Sequence, residues 1–311
     1  PFYITYLPEL NIAYGLFYDN FATTQFDMGR ELDQYYDQFR SYRAEAGDLD
    51  YLMIYGPDIP TVIEKFVALT GRMVLPPRWS LGYLGSTMHY TDAPDAQEQL
   101  KRFVDLCEQH EIPCDLFHLS SGYTTGTDNK RYVFNWNRDR IPEPQKMVDH
   151  FHQAGIRLSA NIKPCLLTTH PRYQEAVQAG YFIKNADTGQ PETNVYWGGI
   201  GSHLDFTNPA AYDWWKARVK DALLDYGIDS TWNDNNEYEI WDDEARCEGF
   251  GEPLGIGQIR SVQTLLMARA SYEAQREHAP DLRPYLITRA GMPGIQRYAQ
   301  TWSGDNRTSW H

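Results

Sequence analysis

The feature that most constrains the fold is the alternation of short apolar strands with amphipathic helices, which begins at Trp79 and runs to the end of the sequence. This alternation is typical of βαβ units, in which helices join parallel strands and cover the sheet. Six strands are predicted, at residues 79–84, 114–119, 157–163, a short run that carries Asp234, 284–289 and 297–302. Helices are predicted at residues 95–110, 144–154, 209–226 and 257–278. The pattern favours an α/β fold with a parallel sheet.

The beginning of the sequence follows a different pattern. Apolar and polar residues alternate in 1–7 and 12–20, which indicates antiparallel strands, and 52–57 reads as a last strand of this kind. Residues 59–70 form an amphipathic pattern that Gly71 ends, and a proline-containing linker follows. We therefore expect a boundary between residues 1–72, a β-rich region with a connecting helix, and residues 73–311, an α/β domain.

The composition excludes several classes of partner. The formal net charge of −14 argues against a surface that binds nucleic acid or an anionic membrane. No run approaches the roughly 20 apolar residues of a membrane span. The four cysteines lack C-x-x-C spacing, and His118, His170 and His203 share no ligand spacing, so neither a metal site nor a cofactor is predicted. Because Pro1 rather than Met begins the sequence, we expect a longer gene product.

Two acidic motifs follow predicted strands and contain the candidate reactive groups. Asp234 ends a strand in the run 230–237, and Asp305 ends another in the run 298–306. In α/β barrel enzymes the catalytic residues lie at the carboxyl ends of the strands, where both of these carboxylates are predicted to lie. Asp and Asn also favour turns, so either motif alone is equally compatible with a plain acidic turn. Two such motifs on one framework suggest a pair of cooperating carboxyl groups.

Several motifs, in order from about Tyr51 onward, carry a resemblance to a known family. They are Tyr55-Gly56-Pro57, Leu69-Thr70-Gly71-Arg72, Pro76-Pro77-Arg78-Trp79-Ser80-Leu81-Gly82-Tyr83, Asp205-Phe206-Thr207-Asn208-Pro209, Trp232-Asn233-Asp234-x-Asn236-Glu237 and Trp302-Ser303-Gly304-Asp305-Asn306. The sequence resembles glycoside hydrolase family 31. The resemblance implies a (β/α)8 TIM-type barrel preceded by the end of an N-terminal β-sandwich. With six strands predicted, we expect a barrel truncated after strand six, with the remainder of the chain missing.

The resemblance also implies roles for individual residues. Asp234 matches the family's catalytic nucleophile and Asp305 its general acid/base. Arg289 matches a substrate-binding arginine, and Trp232 and Trp302 match aromatic residues of the sugar subsite, although both tryptophans could be ordinary core residues. The implied partner is an oligosaccharide or other α-glycoside, which is cleaved with retention by two carboxyl groups about 5–5.5 Å apart.

Three departures from the family pattern affect the predicted recognition of the sugar. The segment Leu119-Ser120-Ser121-Gly122-Tyr123 lacks the acidic residues that the family usually has there. Lys163 precedes Pro164 at a position where Asp is usual. Asn235 follows the predicted nucleophile at a position where Met is common. Lys163 beside Asp234 would hold the nucleophile ionised, and could also meet an anionic sugar. The alternative is a lysine on a surface loop.

Three functional classes remain open from the sequence. The first is a retaining, exo-acting α-glycosidase similar to an α-glucosidase. The second is a transglycosidase, or an α-glycosidase for a xylo, galacto or acidic sugar. The third is an inactive sugar-binding fragment.

Overall fold

The structure is a computed structural model that describes residues 1–35, 37–307 and 309–310. The N-terminal region contains five strands and one helix, which are β1 (Phe2–Leu7), β2 (Ile12–Tyr18), β3 (Thr24–Asp33), β4 (Asp37–Ala44), β5 (Tyr51–Gly56) and α1 (Ile59–Thr70). The strands β1, β2 and β5 form an antiparallel sheet with β2 in the centre, and β3 and β4 form a separate hairpin. The prediction of antiparallel strands at the start of the chain is confirmed.

Alternation of side chains along β1 and β2 gives their sheet two packed faces. On one face Ala13 and Phe17 form a small buried core with Val62 of α1. On the other face Tyr18 stacks on Tyr42 of the β3–β4 hairpin with ring centroids 4.0 Å apart. The helix α1 ends where predicted, because Gly71 adopts a positive φ of 99° and its N–H bonds the carbonyl of Val67.

The rest of the chain consists of short strands, helices and single 3₁₀ turns. The strands are β6 (Leu84–Ser86), β7 (Leu116–Leu119), β8 (Arg157–Ile162), β9 (Cys165–Leu167), β10 (Asn194–Tyr196), β11 (Gly199–His203), β12 (Ser230–Asn233), β13 (Arg246–Cys247), β14 (Leu254–Gly255), β15 (Leu286–Thr288) and β16 (Gln300–Thr301). The helices are α2 (Met88–Thr91), α3 (Ala96–Gln109), α4 (Pro144–Gln153), α5 (Tyr173–Ala179), α6 (Pro209–Ala222) and α7 (Ile256–His278).

Six of these strands form one curled parallel sheet in the order β6-β7-β8-β12-β15-β16. Each neighbouring pair is parallel and in sequence order, and α-helices lie in the connections from β6 to β15, as in part of a (β/α) barrel. The fold prediction is therefore confirmed. Helices pack on the outer face, where Phe117 of β7 contacts Phe103 of α3 at a ring-centroid distance of 4.7 Å.

Two predicted strands differ in position or length from those in the structure. The first was expected at 79–84, but Arg78–Leu81 forms a 3₁₀ turn and β6 begins at Leu84. The turn is closed by the Ser80 hydroxyl, which donates to the carbonyl of Pro77 at 2.8 Å. The last was expected at 297–302, but Ile295–Arg297 is also a 3₁₀ turn, so β16 is shorter than predicted.

The segment between β8 and α6 contains α5 and a small antiparallel sheet in the order β10-β11-β9. The turn between β10 and β11 carries Trp197 and reaches the end of the parallel sheet where the candidate site lies. Of the helices in the described part of the chain, none is both long enough and apolar enough to cross a membrane.

Candidate active site

The centre of the site is a row of three charged residues at the ends of three adjacent strands. Ile162, Asn233 and Thr288 end β8, β12 and β15, and they pair side by side in the sheet. The residues that follow these three strands in the chain are Lys163, Asp234 and Arg289, respectively. The ladder continues into this row, because the N–H of Asp234 bonds the carbonyl of Ile162 at 2.9 Å and the N–H of Arg289 bonds that of Asn233 at 3.0 Å. Backbone hydrogen bonds thus hold a carboxylate between two cations.

Asp234 is buried and accepts contacts on both oxygens. Its Oδ2 accepts hydrogen bonds from Asn161 Nδ2 at 3.0 Å and from the ammonium of Lys163, and its Oδ1 lies 3.1 Å from Arg289 Nη1. Burial opposes the ionised form, but Lys163, Asn161 and Arg289 together outweigh it and hold the pKa of Asp234 below its usual value. This carboxyl is therefore an oriented anion, which is the form that a nucleophile requires.

Lys163 lies in the site rather than on a surface loop. Its side chain is 9% exposed and contacts Asp234, the side-chain oxygen of Asn235, and the face of the Trp197 ring at 4.8 Å from the centroid. Burial lowers the pKa of the Lys163 ammonium, while Asp234 acts in the opposite direction. The contact with Trp197 provides a cation–π interaction beside the carboxylate.

Arg289 connects three carboxyl groups. Its Nε and Nη2 form a two-pronged pair with Glu237, at 2.6 and 2.8 Å, and this pair fixes the plane of the guanidinium. The remaining nitrogen, Nη1, faces both Asp234 and Asp305. The carboxylate of Glu237, from the same motif as Asp234, therefore orients the arginine.

Asp305 lies in a different environment, four residues beyond the end of β16. Its side chain is 96% exposed, and its Oδ2 lies 3.7 Å from Arg289 Nη1. Asp234 Oδ1 lies 3.1 Å from the same nitrogen. The sum of these two distances, about 6.8 Å, is the upper limit of the separation of the two carboxylate oxygens. That limit accommodates the roughly 5–5.5 Å between the carboxyl groups of retaining glycosidases.

The two predicted tryptophans lie together at the same end of the sheet. The rings of Trp232 and Trp302 meet edge to face with centroids 5.8 Å apart, and Trp232 also contacts the ring of His118 at 5.6 Å. Burial lowers the pKa of His118 to about 4, so its imidazole is neutral near pH 7. Within residues 1–35, 37–307 and 309–310, the buried Trp232 Nε1 and His118 Nδ1 have no hydrogen-bond partner. Both residues lie on the face of the sheet opposite to Phe117, which packs against the outer helix α3.

The sequence reasoning missed Trp197 and Asn161, and it did not predict the contact of Glu237 with Arg289. Trp197 was missed because it belongs to none of the motifs identified in the sequence. Asn161 was missed because the sequence pattern of β8 does not show that this side chain reaches Asp234 on the neighbouring strand. In the described part of the chain no group of three or more His, Cys, Asp or Glu residues is arranged to hold a metal ion.

Asp205, from the family-like motif before α6, lies outside the site. It is buried, and its Oδ1 accepts hydrogen bonds from the N–H of Thr207 at 3.0 Å and from Gln263 Nε2 at 2.7 Å, while Oδ2 accepts from the N–H of Glu248 at 2.6 Å. These contacts connect the loop before α6 to α7. Asp205 therefore organises the scaffold.

Comparison with known proteins identifies the family. The family description "Glycosyl hydrolases family 31 TIM-barrel domain" matches residues 73–311. Alpha-glucosidase 2 of Bacillus thermoamyloliquefaciens is 33% identical over 310 residues, which cover 96% of this chain and 37% of that protein. Alpha-xylosidase XylQ of Lactiplantibacillus pentosus is 30% identical over 285 residues, which cover 90% of this chain and 34% of that protein.

A solved structure gives the same result. The Flavobacterium johnsoniae GH31 dextranase FjDex31A, in complex with glucose, superposes with a TM-score of 0.80 at 26% identity, covering 95% of this chain and 36% of that one. The chain thus spans a little over a third of the length of each of these relatives. A family match over most of the chain, together with a parallel sheet that carries the family's acidic motifs at its strand ends, shows that the chain belongs to glycoside hydrolase family 31.

Proposed function

We propose that the protein is a retaining, exo-acting α-glycosidase in which Asp234 is the nucleophile and Asp305 the general acid/base. The observation that carries the proposal is the position of Asp234, an ionised carboxylate held between Lys163 and Arg289, with Asp305 on the same guanidinium nitrogen. All of the residues proposed to act on the substrate lie within residues 73–311, which we propose to be the catalytic domain.

The proposed reaction has two steps. In the first, an Asp234 oxygen attacks the anomeric carbon, the bond to the leaving oxygen breaks, and protonated Asp305 gives its proton to that oxygen. In the second, Asp305 takes a proton from water, the water oxygen attacks the anomeric carbon, and Asp234 leaves as a carboxylate. Two displacements on one carbon return it to its original configuration.

The other residues bind the glycosyl unit in this proposal. Arg289 presents N–H donors to sugar hydroxyls once Asp305 moves toward the leaving oxygen. Trp232 and Trp302 provide aromatic surface for the sugar ring, and Lys163 keeps Asp234 ionised and faces the same subsite. Relatives named alpha-glucosidase and alpha-xylosidase support an α-glycoside as the substrate class.

A trapping experiment on the full-length gene product tests the nucleophile. A 5-fluoro glycosyl fluoride of the matching sugar forms a slowly hydrolysed glycosyl-enzyme, so peptide mass spectrometry should find the added mass on the peptide that contains Asp234. A panel of nitrophenyl α-glycosides (gluco, xylo, galacto and an acidic sugar) selects the sugar. Label on another carboxylate, or no turnover of any panel member, would contradict the proposal.

The second candidate is a transglycosidase, in which a sugar hydroxyl replaces water in the second step. The exposure of Asp305 favours access from solvent and so leaves both acceptors open. Chromatography of the products at high substrate concentration separates the two, because hydrolysis releases the free sugar and transfer forms longer oligosaccharides.

A further inference from the structure

A second cavity adjoins the row of charged residues and carries an excess of positive charge. Its volume is about 360 Å³, within the range of small-molecule sites. It meets the active site at Trp197, whose ring covers the ammonium of Lys163. The residues that line it include Asp92, Thr125, Asn129, Arg131, Arg140 and Trp197.

The charge of this cavity comes from two guanidinium groups that share one carboxylate. Arg131 Nη2 bonds both oxygens of Asp92 at 2.9 Å, and Arg140 Nη1 lies 3.9 Å from the same carboxylate. Within residues 1–35, 37–307 and 309–310, Asp92 is the only carboxylate within ion-pair distance of either arginine. Arginine stays protonated and has five N–H donors, so the pair keeps donor capacity and one unit of charge for a ligand.

The wall of the cavity is rigidly built. The loop after β7 passes so close to Asp92 that a Cβ on Gly122 would contact its carboxylate and would lie 2.7 Å from the carbonyl of Thr91. Arg131 forms an antiparallel bridge with Thr125. Between Arg131 and Lys163 lies a gap of about 10 Å³, which holds at most one water molecule. A ligand group larger than water therefore does not fit this gap, and the space for it beside Arg131 is the 360 Å³ cavity.

The strand order indicates which part of a substrate reaches this cavity. Asp305 follows β16 on one side of Asp234, whereas Asp92 and Arg131 follow β6 and β7 on the other side. If Asp305 protonates the leaving oxygen, the leaving group lies toward β16. The glycosyl ring bonded to Asp234 then extends toward β7, with its far end at Trp197 and the two arginines.

We propose that this cavity binds an oxyanion, a carboxylate or a sulfate ester, on the glycosyl unit at a position remote from the anomeric carbon. The preferred substrates are then acidic α-glycosides. Guanidinium forks match the two oxygens of a carboxylate, and the ring of Trp197 provides an apolar face for the sugar that carries it. The proposal rests on the function proposed above, because it uses the positions of Asp234 and Asp305 to orient the substrate.

Matched substrates test the proposal on the full-length protein. Nitrophenyl α-glucuronide and nitrophenyl α-glucoside share a leaving group and differ in one carboxylate, and α-galacturonide and α-galactoside form a second pair. The α-glucoside with a sulfate ester on its primary hydroxyl distinguishes sulfate from carboxylate. We expect kcat/KM to favour an acidic member of a pair by about tenfold or more, the effect of one charge-assisted hydrogen bond.

Two variants locate the effect. Arg140→Gln leaves the pair of Arg131 and Asp92 in place, so the protein should fold, and it should reduce the acidic preference about tenfold, mainly through KM. Arg102→Gln, the same change at an exposed position on α3, should leave the preference unaltered. Equal or better use of the neutral members by the wild type, or an unchanged preference in Arg140→Gln, overturns the proposal.

A binding measurement separates this proposal from the proposed function. Calorimetry with free glucuronate and glucose, and with galacturonate and galactose, reports on the cavity even if no glycoside is hydrolysed. Turnover of neutral glycosides that needs Asp234, with no acidic preference, would leave the glycosidase assignment standing and remove the anion site. Tighter binding of a uronate that is lost in Arg140→Gln, without turnover of any glycoside, would support the anion site and contradict the glycosidase assignment.

Discussion

The segments that follow β12 and β16 each supply one carboxyl group, and their surroundings differ in almost every respect. Asp234 comes directly after a strand with neighbours on both sides, is buried, and touches Asn161, Lys163 and Arg289. Asp305 comes after a strand whose one neighbour among the described strands is β15, and its side chain is 96% exposed.

This difference is consistent with the roles that we propose for the two groups. A nucleophile works best with a fixed position and a constant charge, and a central strand with cations on both sides provides these conditions. A general acid/base must release and take up a proton in each cycle, so it needs access to water and freedom to move. The comparison therefore links the position of a strand in the sheet to the chemistry of the residue that follows it.

The largest effect is expected from removing the fixed carboxylate. Asp234→Asn should reduce kcat by about 10⁴-fold or more for every substrate, because no glycosyl-enzyme can form. Steady-state assays with several nitrophenyl α-glycosides measure this loss. The same change at Asp213, exposed on α6, provides the control. Residual activity within tenfold of wild type would assign the nucleophile to another group.

A smaller and substrate-dependent effect is expected for the exposed carboxyl. Asp305→Ala should lower the rate by about 10²–10⁴-fold for alkyl glycosides and sugars, and less in the first step for nitrophenyl leaving groups, which need little protonation. Added azide should restore turnover and yield an α-glycosyl azide, identified by NMR. A β-azide from this variant would contradict the retaining mechanism.

Removing Lys163 should make the surroundings of Asp234 resemble those of Asp305. In Lys163→Ala the pKa of Asp234 should rise, because its first opposing charge is lost while burial remains. A carboxyl whose pKa is lowered in the folded state contributes stability above its unfolded pKa and loses it as pH falls through the folded one. Because Asp234 must be ionised to attack, the acidic limb of kcat/KM should move to higher pH as its pKa rises.

The same variant should also be less stable. Breaking a buried ion pair costs about 3–5 kcal/mol, and the lower value is expected because Asn161 and Arg289 still contact Asp234. Urea unfolding at pH 7 measures this loss, and Lys184→Ala, an exposed lysine, is the matched control. An unchanged pH profile and unchanged stability would mean that Lys163 has no influence on Asp234.

The smallest effect is expected at the residue that orients Arg289. Glu237→Gln keeps one acceptor for the guanidinium and removes its charge, so kcat/KM should fall by about tenfold through a less fixed arginine. The exposed Glu239 provides the control. A loss as large as that of Asp234→Asn would instead place Glu237 among the reacting groups.

Sequence patterns reached the fold and the strand ends but not the contacts between loops. The alternation of strands and helices predicted the parallel sheet, and the acidic motifs drew attention to Asp234 and Asp305. The contact of Trp197 with Lys163 was out of reach, because the hairpin turn that carries Trp197 is placed by the pairing of β10, β11 and β9 rather than by a local period. Arg131 and Arg140 were likewise two ordinary arginines until the fold brought both to Asp92.

The in-register row of Lys163, Asp234 and Arg289 also determines where the chain can change in length. The loops between these strands can gain or lose residues without moving the row, because the row is attached to the ladder. A single deletion inside β12 would instead draw Asp234 back into the ladder, facing the other side of the sheet, and bring Asn235 to the edge. Two cations would then flank a neutral amide. We therefore expect tolerated insertions and deletions to lie in the connections, where they leave the spacing of the three charged side chains unchanged.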